Sequence, residues 1–244
     1  MEIKLLTTLR YLTVPEAISF VPAGLAELSP PSASERGADG DDALLGGASP
    51  RSPWDLVIGL RDSCTLVYVP CGEADSSTAA RSVSLNERAW DTHASFTPLL
   101  LVPSPNEGRL LLVATDKNYH LLFQTGTNRR LRLFADHSCG QYGRPKACWD
   151  HTGKYIFCNS ELESCIYVYS VAAEKAVRKL THHTGSVRDL AYFTTTAASA
   201  ATTSEGETQT GAVDGSETPC ALLVSGSFDK SVVLWSFRPD TSNS

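Results

Sequence analysis

The stretch that most constrains this chain runs from Leu180 to Trp235. It reads Leu180-Thr181-His182-His183-Thr184-Gly185-Ser186-Val187-Arg188-Asp189-Leu190-Ala191-Tyr192-Phe193 and then breaks into a Ser/Thr/Ala-rich segment. It resumes as Leu222-Leu223-Val224-Ser225-Gly226-Ser227-Phe228-Asp229-Lys230-Ser231-Val232-Val233-Leu234-Trp235. Short apolar runs rich in β-branched and aromatic residues, parted by Gly, Ser and Asp, specify strands joined by turns.

Comparable runs fill the rest of the chain outside two polar segments. They begin at Ile3 to Leu9 and Ala17 to Val21, and include Leu56 to Leu60, Leu110 to Ala114, Tyr155 to Cys158 and Ile166 to Ser170. Helical periodicity is almost absent. Many short strands fit a sandwich, a barrel or a propeller, so an internal repeat decides among them. Weaker copies of the Leu180 to Trp235 pattern are present. In one, His137 leads to Lys146 to Trp149, and Asn159, Glu163 and Tyr169 fall at the places of Ser225, Asp229 and Trp235. In another, His93 precedes Leu99 to Val102, and Ala114, Asn118 and Gln124 stand at the remaining places. The first copy keeps Asp62 and Tyr68, with Ile58 at the serine place and no histidine before it. Tyr68, Gln124, Tyr169 and Trp235 lie 56, 45 and 66 residues apart, and only the middle interval lacks an insertion or long loop. A period of about 45 belongs to repeats of four strands.

The complete copy resembles the WD repeat. That resemblance implies an all-β chain, a β-propeller of WD-repeat type with about four blades, covering nearly everything outside the two polar segments. It implies that His183, Ser225, Asp229 and Trp235 form the family's structural tetrad, a hydrogen-bonded chain linking the loop before one strand to the two strands that follow. His93, His137, Asn159, Glu163, Tyr169, Asp62 and Tyr68 would be its degenerate members. The family usually closes a ring of about seven or eight blades. Four would make either an unusually small closed ring, with Ile3 to Leu9 as the last blade's outer strand, or a partial propeller. The open blade edges of a partial propeller would pair with a second copy or another subunit.

Composition narrows the function. With 42% hydrophobic and 20% charged residues, the 244-residue chain reads as one cored domain spanning 1–244. Its net charge of -6 is concentrated, because residues 29–53 carry four acids against two arginines and residues 196–219 carry four acids and no base. Both segments read as disordered insertions, and 238–244 as a flexible tail. The remainder is near neutral, which argues against direct nucleic-acid binding. No apolar run reaches the roughly 20 residues that cross a bilayer, and Met1-Glu2-Ile3-Lys4 lacks a leader pattern. The expectation is an intracellular protein, cytoplasmic or nuclear, away from membranes. Seven cysteines without a Cys-x-x-Cys pair read as reduced, buried thiols, with no metal site.

His183, Ser225 and Asp229 are also the ingredients of a nucleophilic triad. Ser225 lies in a strand and not on a Gly-x-Ser-x-Gly elbow, so no enzyme is expected; a hydrolase using His183 and Ser225 is the competing reading. No glycine-rich phosphate loop is present, and no cofactor is implied. Glu161 and Glu163 read as a solvated turn. Arg129, Arg130 and Arg132 offer bidentate contacts to an acidic partner or, in a further competing reading, to nucleic acid. Partners of a propeller meet loops at one end, which here would gather Trp90, Asp91, Gln141, Tyr142, Arg144, His182 and Arg188. The irregular loop 136–145 is the leading contact, mixing an aromatic with an arginine. The expected function is a protein-interaction scaffold presenting loops to protein or peptide partners in a multiprotein complex.

Overall fold

The computed structural model describes residues 8–25, 53–71, 80–86, 88, 91, 93–140, 143–195 and 220–237. The expected insertions at 29–53 (Pro53 apart) and 196–219, the tail at 238–244, and Ile3 to Thr7 lie outside them.

Among the described residues there are fifteen strands and no helix. Every apolar run from Ala17 onward becomes a strand. The first sheet holds β1 (Pro15–Pro22), β2 (Trp54–Leu60), β3 (Thr65–Pro70) and β4 (Arg81–Ser84). The second holds β5 (Pro98–Pro103), β6 (Leu110–Thr115), β7 (His120–Gln124) and β8 (Arg130–Phe134). The third holds β9 (Ala147–Trp149), β10 (Tyr155–Ser160), β11 (Cys165–Ser170) and β12 (Lys175–Thr181), and the fourth β13 (Val187–Thr195), β14 (Cys220–Ser227) and β15 (Val232–Phe237). Each is an antiparallel meander in chain order, and the order holds even where a long segment separates the paired strands, as between β1 and β2 and between β13 and β14. Five of the hairpin turns place a non-glycine residue in the left-handed region, at Asp62 (φ 53), Glu107 (φ 51), Ser164 (φ 53), Glu174 (φ 55) and Lys230 (φ 66).

The sheets pack in series, and the core lies between them as three clusters. Val57, Leu66 and Tyr68 meet Leu111, Val113 and Phe123 between the first and second sheets. Leu112, Leu122 and Phe134 meet Ile156, Cys158 and Tyr169 between the second and third, and Phe157, Ile166 and Val168 meet Leu223 between the third and fourth. The middle sheets are therefore apolar on both faces, the pattern of strands with no wet side. A polar contact crosses each junction as well. The Gly126 amide donates to Tyr68 Oη at 3.1 Å, Trp149 Nε1 to the Val102 carbonyl at 3.1 Å, and Asn159 Nδ2 to the Val187 carbonyl at 2.9 Å.

Candidate functional site

Trp235 stands opposite Leu223 on β14, and Ser225 lies two residues further along the same face. That places the Ser225 hydroxyl where Trp235 Nε1 donates to it at 2.9 Å. His183, one turn before β13, approaches the same oxygen with Nε2 at 2.9 Å and Asp229 Oδ2 with Nδ1 at 2.9 Å. A carboxylate only accepts, so Nδ1 carries the proton, Nε2 accepts from Ser225, and every group is satisfied. Hydrogen bonds from Ser231, and from the Thr184 amide, hold the Asp229 carboxyl below its ordinary range. Gly185 closes the corner, because a Cβ there would meet the Asp229 amide nitrogen at 2.9 Å.

Ser225, His183 and Asp229 thus have the distances of a Ser-His-Asp triad. Ser225 is fully buried and its oxygen is already shared by Trp235 and His183, so no substrate carbonyl reaches it. The geometry is that of a closed, satisfied network.

The other copies place their residues differently. In the third sheet Tyr169 stands opposite Ile156, as Trp235 does opposite Leu223, and Tyr169 Oη lies 2.9 Å from His137 Nδ1. Its hairpin is one residue longer, Asn159 pairing with Ile166 where Gly226 pairs with Val232. Cys158, not Asn159, therefore occupies the serine place; Asn159 lies on the opposite face, bonded to Val187 and to the Lys146 amide. Glu163 bonds Tyr167 and Lys179 at the surface and makes no contact with His137. In the second sheet Phe123, opposite Leu111, takes the anchor position instead of Gln124, and His93 is exposed, its backbone bonded to Asn86 and Asp91. Tyr68 faces the following sheet and not the preceding side, with Arg81 stacked 4.1 Å over its ring. Asp62 sits in the β2–β3 turn in the left-handed region, and its amide donates to Thr97 Oγ1 at 3.1 Å.

Glu161 is the residue that sequence reasoning undervalued. It is buried, 8% exposed, and not in a solvated turn. Its carboxylate accepts from the Arg144 amide at 2.8 Å, the Gly140 amide at 3.2 Å and Arg188 Nη1 at 3.2 Å. Its carbonyl accepts from Ser186 Oγ at 2.8 Å, and the Phe228 amide donates to the Ser186 carbonyl at 3.1 Å. This ties the loop after β8, the turn before β11 and the start of β13 into one surface. Above it the Arg188 guanidinium covers the Phe228 ring at 4.6 Å, and Phe228 and Leu162 stand 68% and 69% exposed. Of the expected contact residues, Arg144 and Arg188 join at Glu161, and His182 is exposed beside Trp235, edge to face at 6.3 Å. Asp91 lies apart, accepting from the His93 amide; Trp90, Gln141 and Tyr142 lie outside the described residues. Arg129 and Arg130 are exposed at the other end, whereas Arg132 donates to the carbonyls of Val171 and Leu131 beside an open groove that Leu110, Lys154 and Tyr155 also line.

Between the second and third sheets, His120 is fully buried with neither ring nitrogen bonded, its ring tilted by 43° against that of His137 at 4.0 Å between centroids. Burial, and then the neighbouring His137, drive the His120 pKa far down, and burial lowers that of His137 to about 4 against the opposing charge of Asp136. Both rings are neutral at pH 7. Among the described residues no group of three or more His, Cys, Asp or Glu is placed to hold a metal, and no helix is long and apolar enough to cross a membrane. No protein-family model and no curated protein sequence matches the chain.

Proposed function

We propose that the chain is a WD-repeat protein-interaction scaffold, its four sheets the blades of an incomplete propeller, working inside the cell at the loop end of the third and fourth sheets. The observation that carries this is the exposure of Leu162 and Phe228 on turns fixed from beneath by Glu161 and Ser186. An exposed aromatic under a guanidinium, on rigid backbone, is the composition of an interface hot spot. The buried, saturated state of Ser225 supports a structural role for the tetrad over the hydrolase reading.

The test is affinity capture with the full chain against a Phe228→Asp, Leu162→Asp variant. The reading expects a defined set of proteins held by the wild type and lost from the variant, with unchanged melting. Capture that is identical for both, or a serine-reactive fluorophosphonate probe labelling Ser225, would overturn it.

A further inference from the structure

The groove between the second and third sheets opens at the end away from Glu161 and has a volume of about 510 Å³. Clefts of that size hold a small ligand or a few residues of a peptide. Its floor is aliphatic, with Leu122 fully buried and Leu110 and Leu131 half-buried, and Tyr155, 42% exposed, lines it from the third sheet. Two cations stand in the same lining. The Arg132 guanidinium is held by neutral acceptors, Nε donating to the Val171 carbonyl at 3.1 Å and Nη1 to the Leu131 carbonyl at 2.7 Å. A guanidinium has five N–H donors, so both of those on Nη2 and one on Nη1 have no acceptor among the described residues. The Lys154 ammonium is exposed and likewise has no partner among the described residues. Acids at this end do little to offset them. Glu107 is taken by Arg109 at 2.9 Å, and Asp150 is buried and bonded within its own turn, to Thr152 and the Tyr155 amide. Glu174, which accepts from the Leu133 amide, is left to balance Arg129, Arg130, Arg132, Lys154 and Lys175.

We propose that this groove is a second binding surface, and that its occupant is an extended peptide of a partner protein in which an acidic residue stands beside aliphatic ones. The carboxylate takes the free donors of Arg132 through charge-assisted hydrogen bonds, and Lys154 adds a second positive charge. Because two carbonyls already fix the Arg132 fork, little side-chain freedom is lost when it binds. The aliphatic residues cover Leu110, Leu122 and Leu131 and remove that floor from water. Nucleic acid suits the groove less well. Its bases need aromatic faces to stack on, and among the described residues Tyr155 is the one aromatic side chain in the lining. The groove is also separate from the surface at Leu162 and Phe228. Strand β10 runs from Tyr155 at the groove to Ser160 beside Glu161, roughly 17 Å at about 3.4 Å per residue. One chain thereby has room for two partners, one at each end of the third sheet.

The experiment is selection of a displayed library of random dodecapeptides on the full chain carrying Phe228→Asp and Leu162→Asp, which removes the other proposed surface. Fluorescence polarisation of a labelled consensus peptide then gives its affinity for the wild type and for groove variants. The consensus is expected to set Asp or Glu beside Leu, Ile or Val. Affinity should fall by about tenfold or more for Lys154→Glu and for Arg132→Gln, the weight of one hydrogen bond to a charged group. Lys154→Arg, which keeps the charge, should bind as the wild type does. If Arg132→Gln lowers the melting temperature, the exposed Lys154→Glu carries the test by itself. No consensus, a consensus without an acid, or an affinity indifferent to Lys154→Glu would overturn the proposal. So would a labelled oligothymidine strand that binds the wild type more tightly than the peptide does. Every selected peptide binds without Leu162 and Phe228, so failure here leaves partner capture at those residues unaffected, and the reverse holds as well.

Discussion

Trp235 and His183 meet on a single oxygen, the Ser225 hydroxyl, each at 2.9 Å. Ser225→Ala leaves an indole N–H and an imidazole nitrogen unpaired at once. A loss of about 1–3 kcal/mol in unfolding free energy is expected by urea titration. Trp235→Phe removes only the donor and should cost less, with Ser225 still bonded to His183.

Gly185→Ala tests the same corner through the backbone. A methyl group there presses on the Asp229 amide nitrogen, which cannot retreat without breaking the Ser227 hydrogen bond. The variant should lose about 1–3 kcal/mol, the cost of overpacking, and faster hydrogen exchange should appear at Thr184 and Ser231 before the rest of the fourth sheet.

The His120–His137 pair predicts acid sensitivity. Both folded pKa values lie below the unfolded value of about 6.5, so the unfolded chain binds more protons between that pH and about 4. Stability is therefore full above pH 6.5 and falls as the pH drops, by roughly 3 kcal/mol at pH 4 from His137 alone. His120→Leu removes two unbonded buried nitrogens and should raise the melting temperature at pH 7 while shrinking the acid loss. A melting temperature that does not change between pH 7 and 5 would contradict this.

Glu161→Ala should release the loop after β8. The amides of Gly140 and Arg144 lose their acceptor and Arg188 its partner, at a cost of about 2 kcal/mol. Exchange at those two amides should accelerate while amides of β6 keep their protection.

The strands were legible because their residues are β-branched or aromatic and their turns are marked, as at Ser227 to Ser231. The partners within the weaker copies were not. Counting from Glu163 brings Asn159 to the serine place, yet a hairpin one residue longer turns Asn159 to the opposite face and substitutes Cys158. Pleat parity, not residue identity, sets which side chain meets which. In the second sheet the hairpin keeps the length of the fourth's, and the copy as a whole is displaced by one, so Val113 and Phe123 stand where counting puts Ala114 and Gln124. Glu161 was hidden for a different reason. Its partners at Gly140, Arg144 and Arg188 lie up to 27 residues away, and nothing local in an acidic hairpin announces them.

The polar contacts at Tyr68, Trp149 and Asn159, like the apolar clusters, join each sheet to its neighbour in the series. Cooperativity in such a series is of nearest-neighbour type, as in a one-dimensional Ising chain. The second and third sheets are braced from both sides and the end sheets from one, so unfolding should begin at the ends and travel inward. Covering both end faces would abolish those starting points together and turn graded fraying into a single all-or-none transition.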